Sequence, residues 1–320
     1  MQLNLHANSS GQVTDIIHPK SLRDFRSLPK SDLHNHCLLG GKRTHLEKYY
    51  GRKFRPFKAV RPGIDELNQW LIMEFRPFFD LPGAFEKAVE AAFFQARTDG
   101  VTRLEMSIDV MTGVIARIQA GRIVDVLRRC HKDVAPGIRF RPELGFPRNR
   151  PLRTLLSSME PFLEEGYFRS IDLYDDEFAQ PVANFRELFR LARSLGMKCK
   201  AHAGEFGSAG SVREAVETLE LDAVQHGIGA ADSPEVMKWL ADHQIPLNVC
   251  PTSNIRLKRV RSYKTHPIRI LFDHGVRVTI NTDDALVFGD GVSEQYLKLH
   301  RAGVFTLEEL DLIRFTGLDS

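Results

Sequence analysis

Short apolar runs and longer amphipathic segments alternate along this chain. From residue 30 onward there are eight runs rich in strand-favouring residues, and between them the apolar positions recur three and four residues apart. The runs cover residues 31–36, 101–108, 138–144, 170–174, 197–203, 223–226, 245–250 and 276–281. This alternation predicts a closed parallel (β/α)8 TIM barrel, because an open doubly wound sheet usually has fewer strands and a glycine-rich phosphate-binding turn. Neither GxGxxG nor GxxxxGK occurs in the chain.

Glycines mark several predicted junctions between a helix and the next strand. Gly100, Gly196 and Gly275 each stand where a left-handed cap would end a helix. After the first run, an aromatic-rich segment over about residues 40–82 interrupts the pattern and is predicted to be a helical insertion that walls or covers the barrel mouth. We therefore predict one barrel domain over residues 1–320, with an N-terminal extension over residues 1–28.

Charge and cysteine usage narrow the classes of protein that fit. The 44 Lys and Arg and the 41 Asp and Glu are mostly scattered and give a formal net charge of +3, which does not indicate nucleic-acid binding. The four cysteines are far apart and show no CxxC spacing, so neither a disulfide framework nor a zinc ribbon is indicated.

Hydropathy and chain length lead to further expectations about location and partners. No stretch approaches the roughly 18 apolar residues of a membrane span, and the first 28 residues are too polar for a signal-peptide core. We expect a cytoplasmic protein whose partner is a small-molecule substrate, with no membrane and no nucleic acid. The chain stops soon after its eighth run, which leaves a homo-oligomer open, since barrel closure there could depend on a second subunit.

Histidine or carboxylate side chains follow four of the predicted strands. The first run ends in DLHNH, and residues two apart in an extended chain point the same way, so His34 and His36 face one site. In a barrel, the carboxyl ends of all strands meet at one face, where barrel active sites lie. The other such residues are His202 and Glu205 after the fifth run, His226 after the sixth, and Asp283 and Asp284 after the eighth.

Imidazole nitrogen and carboxylate oxygen together predict a divalent metal site. This ligand type suits zinc, while iron, manganese and nickel remain open as other transition metals. A catalytic ion keeps one position for water and lowers the pKa of that water toward about 7, which supplies a nucleophile at neutral pH. The pattern therefore predicts a metal-dependent hydrolase.

Six segments together resemble the adenosine deaminase family of the amidohydrolase superfamily. They are PKSDLHNH at 29–36, HAGE at 202–205, HG at 226–227, CPTSN at 250–254, HP at 266–267 and NTDD at 281–284. The resemblance covers nearly the whole chain. It implies a zinc-dependent (β/α)8 barrel that hydrolyses an exocyclic amine from a purine nucleoside, purine base or related heterocycle and releases ammonia.

The resemblance also implies roles for individual residues. The implied ligands of one zinc ion are His34, His36, His202 and Asp283. Glu205 would protonate a ring nitrogen of the substrate, and His226 would orient the attacking water or accept its proton. The implied substrate contacts are Asp284, Asp175 and Gly204. The CPTSN run is expected to make turn hydrogen bonds rather than to take part in catalysis.

Two positions depart from the family pattern. Leu38 stands where the family has the aspartate that binds ribose, and Asp175 stands where it has a glycine whose main chain meets the purine. A buried ribose hydroxyl without its acceptor costs binding free energy, so adenosine itself is not the expected preferred substrate. A free aminopurine, a modified nucleoside or another aminated heterocycle remains open.

Two other functions are compatible with a barrel of this kind. The same metal site could hydrolyse an amide, lactone or ester, because the fold does not determine the substrate. Glu205 together with Asp284 favours the deaminase, since a ring nitrogen must be protonated in an azine but a lactone has none. A non-catalytic ligand-binding barrel is the remaining alternative, and it is disfavoured because every ligand and proton-transfer position is occupied.

Overall fold

The computed structural model describes residues 21–320, so the first 20 residues of the predicted N-terminal extension lie outside the described part. Eight parallel strands form one sheet in which each strand pairs with the next along the chain. The strands are β1 (Lys30–Asp32), β2 (Val101–Asp109), β3 (Arg139–Pro147), β4 (Ser170–Tyr174), β5 (Lys198–Ala203), β6 (Ala223–His226), β7 (Leu247–Val249) and β8 (Val278–Ile280). The predicted (β/α)8 TIM barrel is confirmed.

Backbone contacts just beyond β8 and β1 bring the last strand beside the first. The Asp283 N–H donates to the His34 carbonyl oxygen at 2.9 Å, and Asn35 and Asp283 form a parallel bridge. The Leu33 N–H donates to the Asn281 side chain at 2.7 Å. These contacts involve the segments that carry the predicted metal ligands, so barrel closure and assembly of the site depend on the same residues.

Helices lie between the strands and around them. Within residues 21–320 they are α1 (Leu22–Ser27), α2 (Arg43–Tyr50), α3 (Asp65–Trp70), α4 (Ala84–Thr98), α5 (Thr112–Ala116), α6 (Ala120–Val134), α7 (Leu152–Leu163), α8 (Arg186–Ser194), α9 (Ala209–Leu219), α10 (Pro234–Asp242), α11 (Pro251–Arg256), α12 (Ile268–Asp273), α13 (Ala285–Phe288), α14 (Val292–Arg301) and α15 (Leu307–Asp319). Short 3-10 helices cover Cys37–Leu39, Arg76–Asp80, Val182–Phe185, Ile228–Asp232 and Tyr263–Thr265, and a π-helical turn covers Leu71–Phe75. None of the helices in this part of the chain is long and apolar enough to cross a membrane.

The local sequence explains why helices and strands meet where they do. Gly100, Gly196 and Gly275 have φ of +75°, +74° and +76°, which confirms the predicted left-handed helix ends. On α8, the buried residues Leu188, Phe189 and Ala192 form one face that packs on the barrel. Removal of such apolar surface from water, about 25 cal/mol per Å², holds the helical layer against the strands.

The barrel interior below the site is polar and charged. Lys200 on β5 lies 2.5 Å from Glu105 on β2 and 2.7 Å from Glu143 on β3. Arg103 donates to Glu105 at 2.7 Å, and the Ser170 hydroxyl donates to Glu143 at 2.7 Å. Buried charges are tolerated only when each has a partner, so this network depends on the central ammonium group.

We expect Lys200→Met to destabilise the protein by about 3–5 kcal/mol, because two buried carboxylates would lose their shared cation. Denaturant unfolding of the wild type, of Lys200→Met and of a control variant measures the change in the free energy of unfolding. Lys198→Met is the matched control, since that side chain is 63% exposed and its ion pair with Asp222 contributes about 1 kcal/mol or less. Equal unfolding free energies for the two variants would show that the buried network does not stabilise the barrel.

The aromatic segment after β1 packs as a small core of its own at the barrel mouth. Phe54, Trp70, Phe75 and Phe78 are buried together with Phe288 of α13. The rings of Phe75 and Phe78 are stacked 5.9 Å apart, and the Trp70 indole N–H donates to the Arg55 carbonyl oxygen at 2.8 Å. This packing places the predicted insertion next to the loop after β8, where Asp283 and Asp284 lie.

Candidate active site

The predicted chemistry-bearing residues converge at the carboxyl ends of the strands. The ring centroid of His34 lies 5.0 Å from that of His36, 4.7 Å from that of His202 and 5.0 Å from that of His226. His226 and Asp283 have φ of +63° and +62°, a conformation that non-glycine residues seldom adopt. The turn at Asp283 is why two adjacent aspartates can both face the site.

Three imidazoles lie close enough together to share a metal ion, and the Asp283 carboxylate lies beside two of them. Ring nitrogens of His34, His36 and His202 lie within 4.8 Å of one another. An Asp283 oxygen lies 3.4 Å from Nε2 of His36 and 3.7 Å from Nε2 of His34. Within residues 21–320, Nε2 of His34 has no hydrogen-bond partner although it is buried, which is costly unless an ion or water satisfies it. The donor set therefore fits a divalent ion with nitrogen and oxygen ligands.

The protonation states of the histidines are set by burial and by neighbouring carboxylates. Burial lowers the pKa of His34 well below its usual range and that of His36 to about 4, so both rings are in the neutral form that binds metal. At His202, burial is opposed and outweighed by the carboxylates of Asp172 and Glu205, which raise its pKa well above the usual range. A proton and a metal ion would therefore compete for His202.

Asp172 on β4 is a site residue that the sequence reasoning missed. Its side chain is fully buried, and one oxygen lies 3.3 Å from Nε2 of His202 and 4.0 Å from Nδ1 of His34. Carboxylates behind metal-binding histidines commonly hold the ring orientation. The available signal was a lone carboxylate inside the apolar run Ser170–Tyr174.

A second buried aspartate ties β1 to the loop that carries Asp283. Asp32 accepts hydrogen bonds from the Thr282 N–H at 3.1 Å and the Thr282 hydroxyl at 2.5 Å. It also accepts from the Asn35 amide at 3.2 Å. Because Asn35 lies between His34 and His36, this one carboxylate fixes both backbone segments that carry His34, His36 and Asp283.

Asn254 contacts the His226 ring, and His266 contacts Asn254 in turn. Its Nδ1 lies 3.2 Å from the Asn254 amide nitrogen, and Asn254 Oδ1 lies 3.3 Å from Nε2 of His266. Burial lowers the pKa of His226 well below its usual range, so the ring is neutral. The CPTSN run was expected to form turn hydrogen bonds, but it begins helix α11 instead, and Asn254 extends from that helix to the site.

Glu205 is buried between two of the histidines. One carboxyl oxygen lies 3.8 Å from Nδ1 of His202 and 3.6 Å from Nε2 of His226. The other oxygen has no hydrogen-bond partner among the described residues. Burial raises the pKa of Glu205 above its usual range, which favours the protonated form of this carboxyl group more than at an exposed glutamate.

A cavity of about 470 Å³ opens above the cluster, within the usual size range of small-molecule sites. The residues of the cluster that face it are His36, His202, Glu205, His226, Asp283 and Asp284. The apolar residues that line it include Leu38, Leu39, Leu67, Leu71, Phe75 and Met111. Burial, reinforced by the adjacent Asp283, raises the pKa of Asp284 well above its usual range.

Of the predicted substrate contacts Asp175 and Gly204, only Asp175 is among the residues that line the cavity. Asp175 lines the cavity, where the Asn68 and Asn149 amides donate to its carboxylate at 3.3 Å and 2.5 Å. Gly204 has φ of +67°, and its N–H donates to Glu177 at 2.6 Å. Gly204 as a substrate contact stays a prediction, and its N–H is already used inside the protein.

Comparison with known proteins identifies the family to which this chain is similar. The family model described as adenosine deaminase matches residues 79–320. A Treponema pallidum protein with the provisional name adenosine/adenine deaminase is 35% identical over 293 residues, which covers 90% of this chain and 96% of that protein. The adenine deaminase of Rhodopseudomonas palustris is 31% identical over 321 residues, with 92% and 90% of the two chains covered.

A solved structure shows the same fold. It is a Burkholderia ambifaria amidohydrolase with bound zinc, and it superposes with a TM-score of 0.77 at 22% identity, covering 98% of this chain and 90% of that one. The family match and the two relatives each extend over most of the chain, including the segments that carry the strand-end histidines and aspartates after β5, β6 and β8. This protein is therefore a hydrolytic deaminase that belongs to the adenosine deaminase family.

Proposed function

We propose that the protein is a zinc-dependent deaminase that removes the exocyclic amine of a purine base or a related aminated heterocycle and releases ammonia. One observation carries this proposal. The buried carboxyl group of Glu205, which can hold a proton, opens into the same cavity as the histidine and aspartate cluster. A lactone or amide hydrolase has no need for a proton donor aimed at a ring nitrogen.

His34, His36, His202 and Asp283 are the residues that would hold the ion. Nitrogen and oxygen ligands of this kind suit zinc, and the Burkholderia ambifaria structure with the same fold contains zinc. When bound, a divalent ion makes a water-derived nucleophile available at neutral pH. Other transition metals share this ligand preference, so metal identity is part of the test.

Proton transfer to the ring is assigned to Glu205. In the overall reaction the oxygen of water bonds to the ring carbon, the carbon–nitrogen bond breaks, and the amine leaves as ammonia. Attack on that carbon becomes easier when the adjacent ring nitrogen is protonated. A carboxyl group supplies such a proton more readily when burial raises its pKa, as it does at Glu205.

His226 and Asp284 are the remaining residues with a proposed role in the reaction. Nε2 of the neutral His226 faces Glu205 at 3.6 Å and Asp283 at 3.8 Å, so this ring can orient the attacking water or accept its proton. Oδ1 of Asp284 is buried and lacks a hydrogen-bond partner within the described residues. Burial raises the pKa of Asp284 and so favours its protonated form, which can donate a hydrogen bond to an acceptor nitrogen of the purine.

The cavity wall favours a base over a riboside. Leu38 and Leu39 line it together with residues of the insertion, and these two side chains offer no acceptor for a ribose hydroxyl. The Rhodopseudomonas palustris relative is named an adenine deaminase, which agrees with a free aminopurine as substrate. We therefore place adenine and other aminopurine bases ahead of adenosine.

Ammonia release by the zinc-loaded protein tests the function. The panel contains free purines, purine nucleosides, nucleotides and pterins, and Glu205→Gln serves as the control. Nucleotides are included because Arg76 and Arg150 line the cavity and make no ion pair with any of residues 21–320. Release that depends on Glu205 from a purine base supports the proposal. Silence across the panel with metal bound contradicts it and favours amide or lactone hydrolysis.

Leu38→Asp is expected to raise kcat/KM for adenosine relative to adenine by about tenfold or more. A hydrogen bond to a charged group contributes about 1.5–3 kcal/mol, and about 1.4 kcal/mol corresponds to a factor of ten. Steady-state kinetics on both substrates measure the ratio. Leu38→Met, which keeps an apolar side chain of similar volume, is the control and should leave the ratio unchanged. No gain in Leu38→Asp would mean that Asp175, and not Leu38, excludes the ribose.

A further inference from the structure

We propose that Glu177 is a positioning residue that holds Glu205 in place for proton transfer. The inference rests on the role proposed above for Glu205. Glu177 follows β4, 28 residues before Glu205 in the sequence, and its side chain is only 5% exposed. It does not line the cavity in the described part of the chain, so it acts on the reaction only through its neighbours.

The Glu177 carboxylate binds the backbone on both sides of Glu205. One oxygen accepts the N–H of Gly204 at 2.6 Å, and the other accepts the N–H of Gly207 at 3.0 Å and the N–H of Phe206. Charge-assisted hydrogen bonds of this kind are roughly twice as strong as neutral ones. One buried side chain thus fixes three of the four peptide units around the proton donor.

The backbone N–H groups of Gly204, Phe206 and Gly207 depend on the Glu177 carboxylate because they lie outside regular secondary structure. The segment 204–207 is an irregular bend between β5 and α9, so its N–H groups have no strand or helix partners. Buried N–H groups without a partner are costly, and successive N–H groups that point to one spot form an anion-binding concavity. Here a side chain of the same protein occupies that concavity.

Close packing leaves the bend little freedom to rearrange. A Cβ atom added at Gly207 would lie 2.8 Å from a Glu177 oxygen, and one added at Gly204 would lie 2.3 Å from the Val212 side chain. The Gly204 carbonyl oxygen accepts the Gly229 N–H at 2.8 Å. Glycines therefore allow the backbone to approach the carboxylate and its other neighbours this closely.

A second contact holds the Glu205 peptide from the opposite side. The Arg259 guanidinium donates to the Glu205 carbonyl oxygen at 3.0 Å. With its backbone held by Glu177 and Arg259, Glu205 keeps its carboxyl group between His202 and His226. A displacement of about 1 Å at a reacting group can cost on the order of 10²-fold in rate, so precise positioning of this backbone affects kcat directly.

Glu177→Gln tests the inference, because it keeps the side-chain size but places an NH2 group opposite one backbone N–H. We expect kcat for ammonia release to fall about 10- to 100-fold, with KM within about threefold and metal content unchanged. Asp176→Asn is the matched control at the adjacent position, where the carboxylate accepts only the nearby Phe178 N–H at 2.9 Å among the described contacts. This control is expected to keep the wild-type kcat.

The double variant Glu177→Gln/Glu205→Gln distinguishes positioning from a general structural effect. If Glu177 acts through Glu205, the double variant has the kcat of Glu205→Gln alone, because two changes in one functional unit are not additive. An unchanged kcat in Glu177→Gln, or losses that multiply in the double variant, would overturn the inference. If Glu205→Gln itself keeps full turnover, the role proposed for Glu205 is wrong. This outcome is distinct from a failure of the positioning role of Glu177, in which Glu205→Gln loses turnover but Glu177→Gln does not.

Gly207→Ala is a second route to the same test if Glu177→Gln does not fold. Its Cβ would press on the Glu177 carboxylate and on the Ser211 hydroxyl without changing any charged group. We expect Gly207→Ala to lower kcat in the wild-type background. The same substitution added to Glu205→Gln should leave the kcat of Glu205→Gln unchanged. Equal proportional losses in both backgrounds, or no loss in either, would contradict the positioning role.

Discussion

Glu205→Gln is expected to lower the turnover of ammonia release by about 10²-fold or more, the usual contribution of a general acid, while metal content stays at the wild-type level. Glutamine has nearly the size of glutamate but no transferable proton. The metal content should not change, because Glu205 is not among the four residues assigned as ligands. Steady-state kinetics together with elemental analysis of the same preparation measure both quantities.

Glu214→Gln is the matched control for this experiment. Glu214 lies on α9, in the same part of the chain as Glu205, but its side chain is exposed. It should keep wild-type turnover. Unchanged turnover in Glu205→Gln would remove Glu205 from the mechanism, whereas a loss of metal in that variant would mean that the carboxylate is a ligand instead of an acid.

Asp283→Ala is expected to abolish activity and to lower the metal content of the purified protein. Its carboxylate lies 3.4 Å from Nε2 of His36 and 3.7 Å from Nε2 of His34, and it is the only anionic group among the assigned ligands. The remaining three imidazoles would bind a divalent cation without a compensating negative charge. Metal stoichiometry after dialysis, measured beside ammonia release, tests both parts of the expectation.

Asp284→Ala is the informative comparison, because Asp284 also lies close to His36 and Asp283. We expect this variant to keep its metal and to lose affinity for substrate, which raises KM. Full metal content and activity in Asp283→Ala would show that the ligand assignment is wrong. Loss of metal in Asp284→Ala alone would reverse the roles of the two aspartates.

The strand order and most strand positions could be predicted because they follow from local patterns. The runs at 170–174 and 223–226 coincide with β4 and β6, and each of the eight predicted runs overlaps a strand. The first run differs most: a strand was predicted over 31–36, but β1 is Lys30–Asp32. The chain leaves the regular ladder after Asp32, because the following residues turn to present His34 and His36 and pair with the segment after β8.

The residues that support the site could not be found in the same way. Asn254 contacts His226 across 28 positions, and Glu177 binds the Gly204 N–H across 27 positions. Asn254 ends the CPTSN segment, but the contact that it makes with His226 is not visible in that segment, and Glu177 stands in no pattern that distinguishes it from a loop residue. Asp172 did carry a signal, a carboxylate inside an apolar run, but its two histidine partners come from other strands.

The alternation of runs in the sequence therefore predicted the barrel, the residue types at the strand ends predicted the kind of ligand atoms, and the resemblance of six segments predicted the family. Alternation along the chain and the chemistry of each side chain are local properties. Only the tertiary structure showed the distances that place Asp283 beside His34 and His36, the burial that raises the pKa of Glu205, and the apolar residues that line the cavity. These features depend on contacts between residues far apart in the sequence and on removal from water. Both arise only when the eight strands close around one axis.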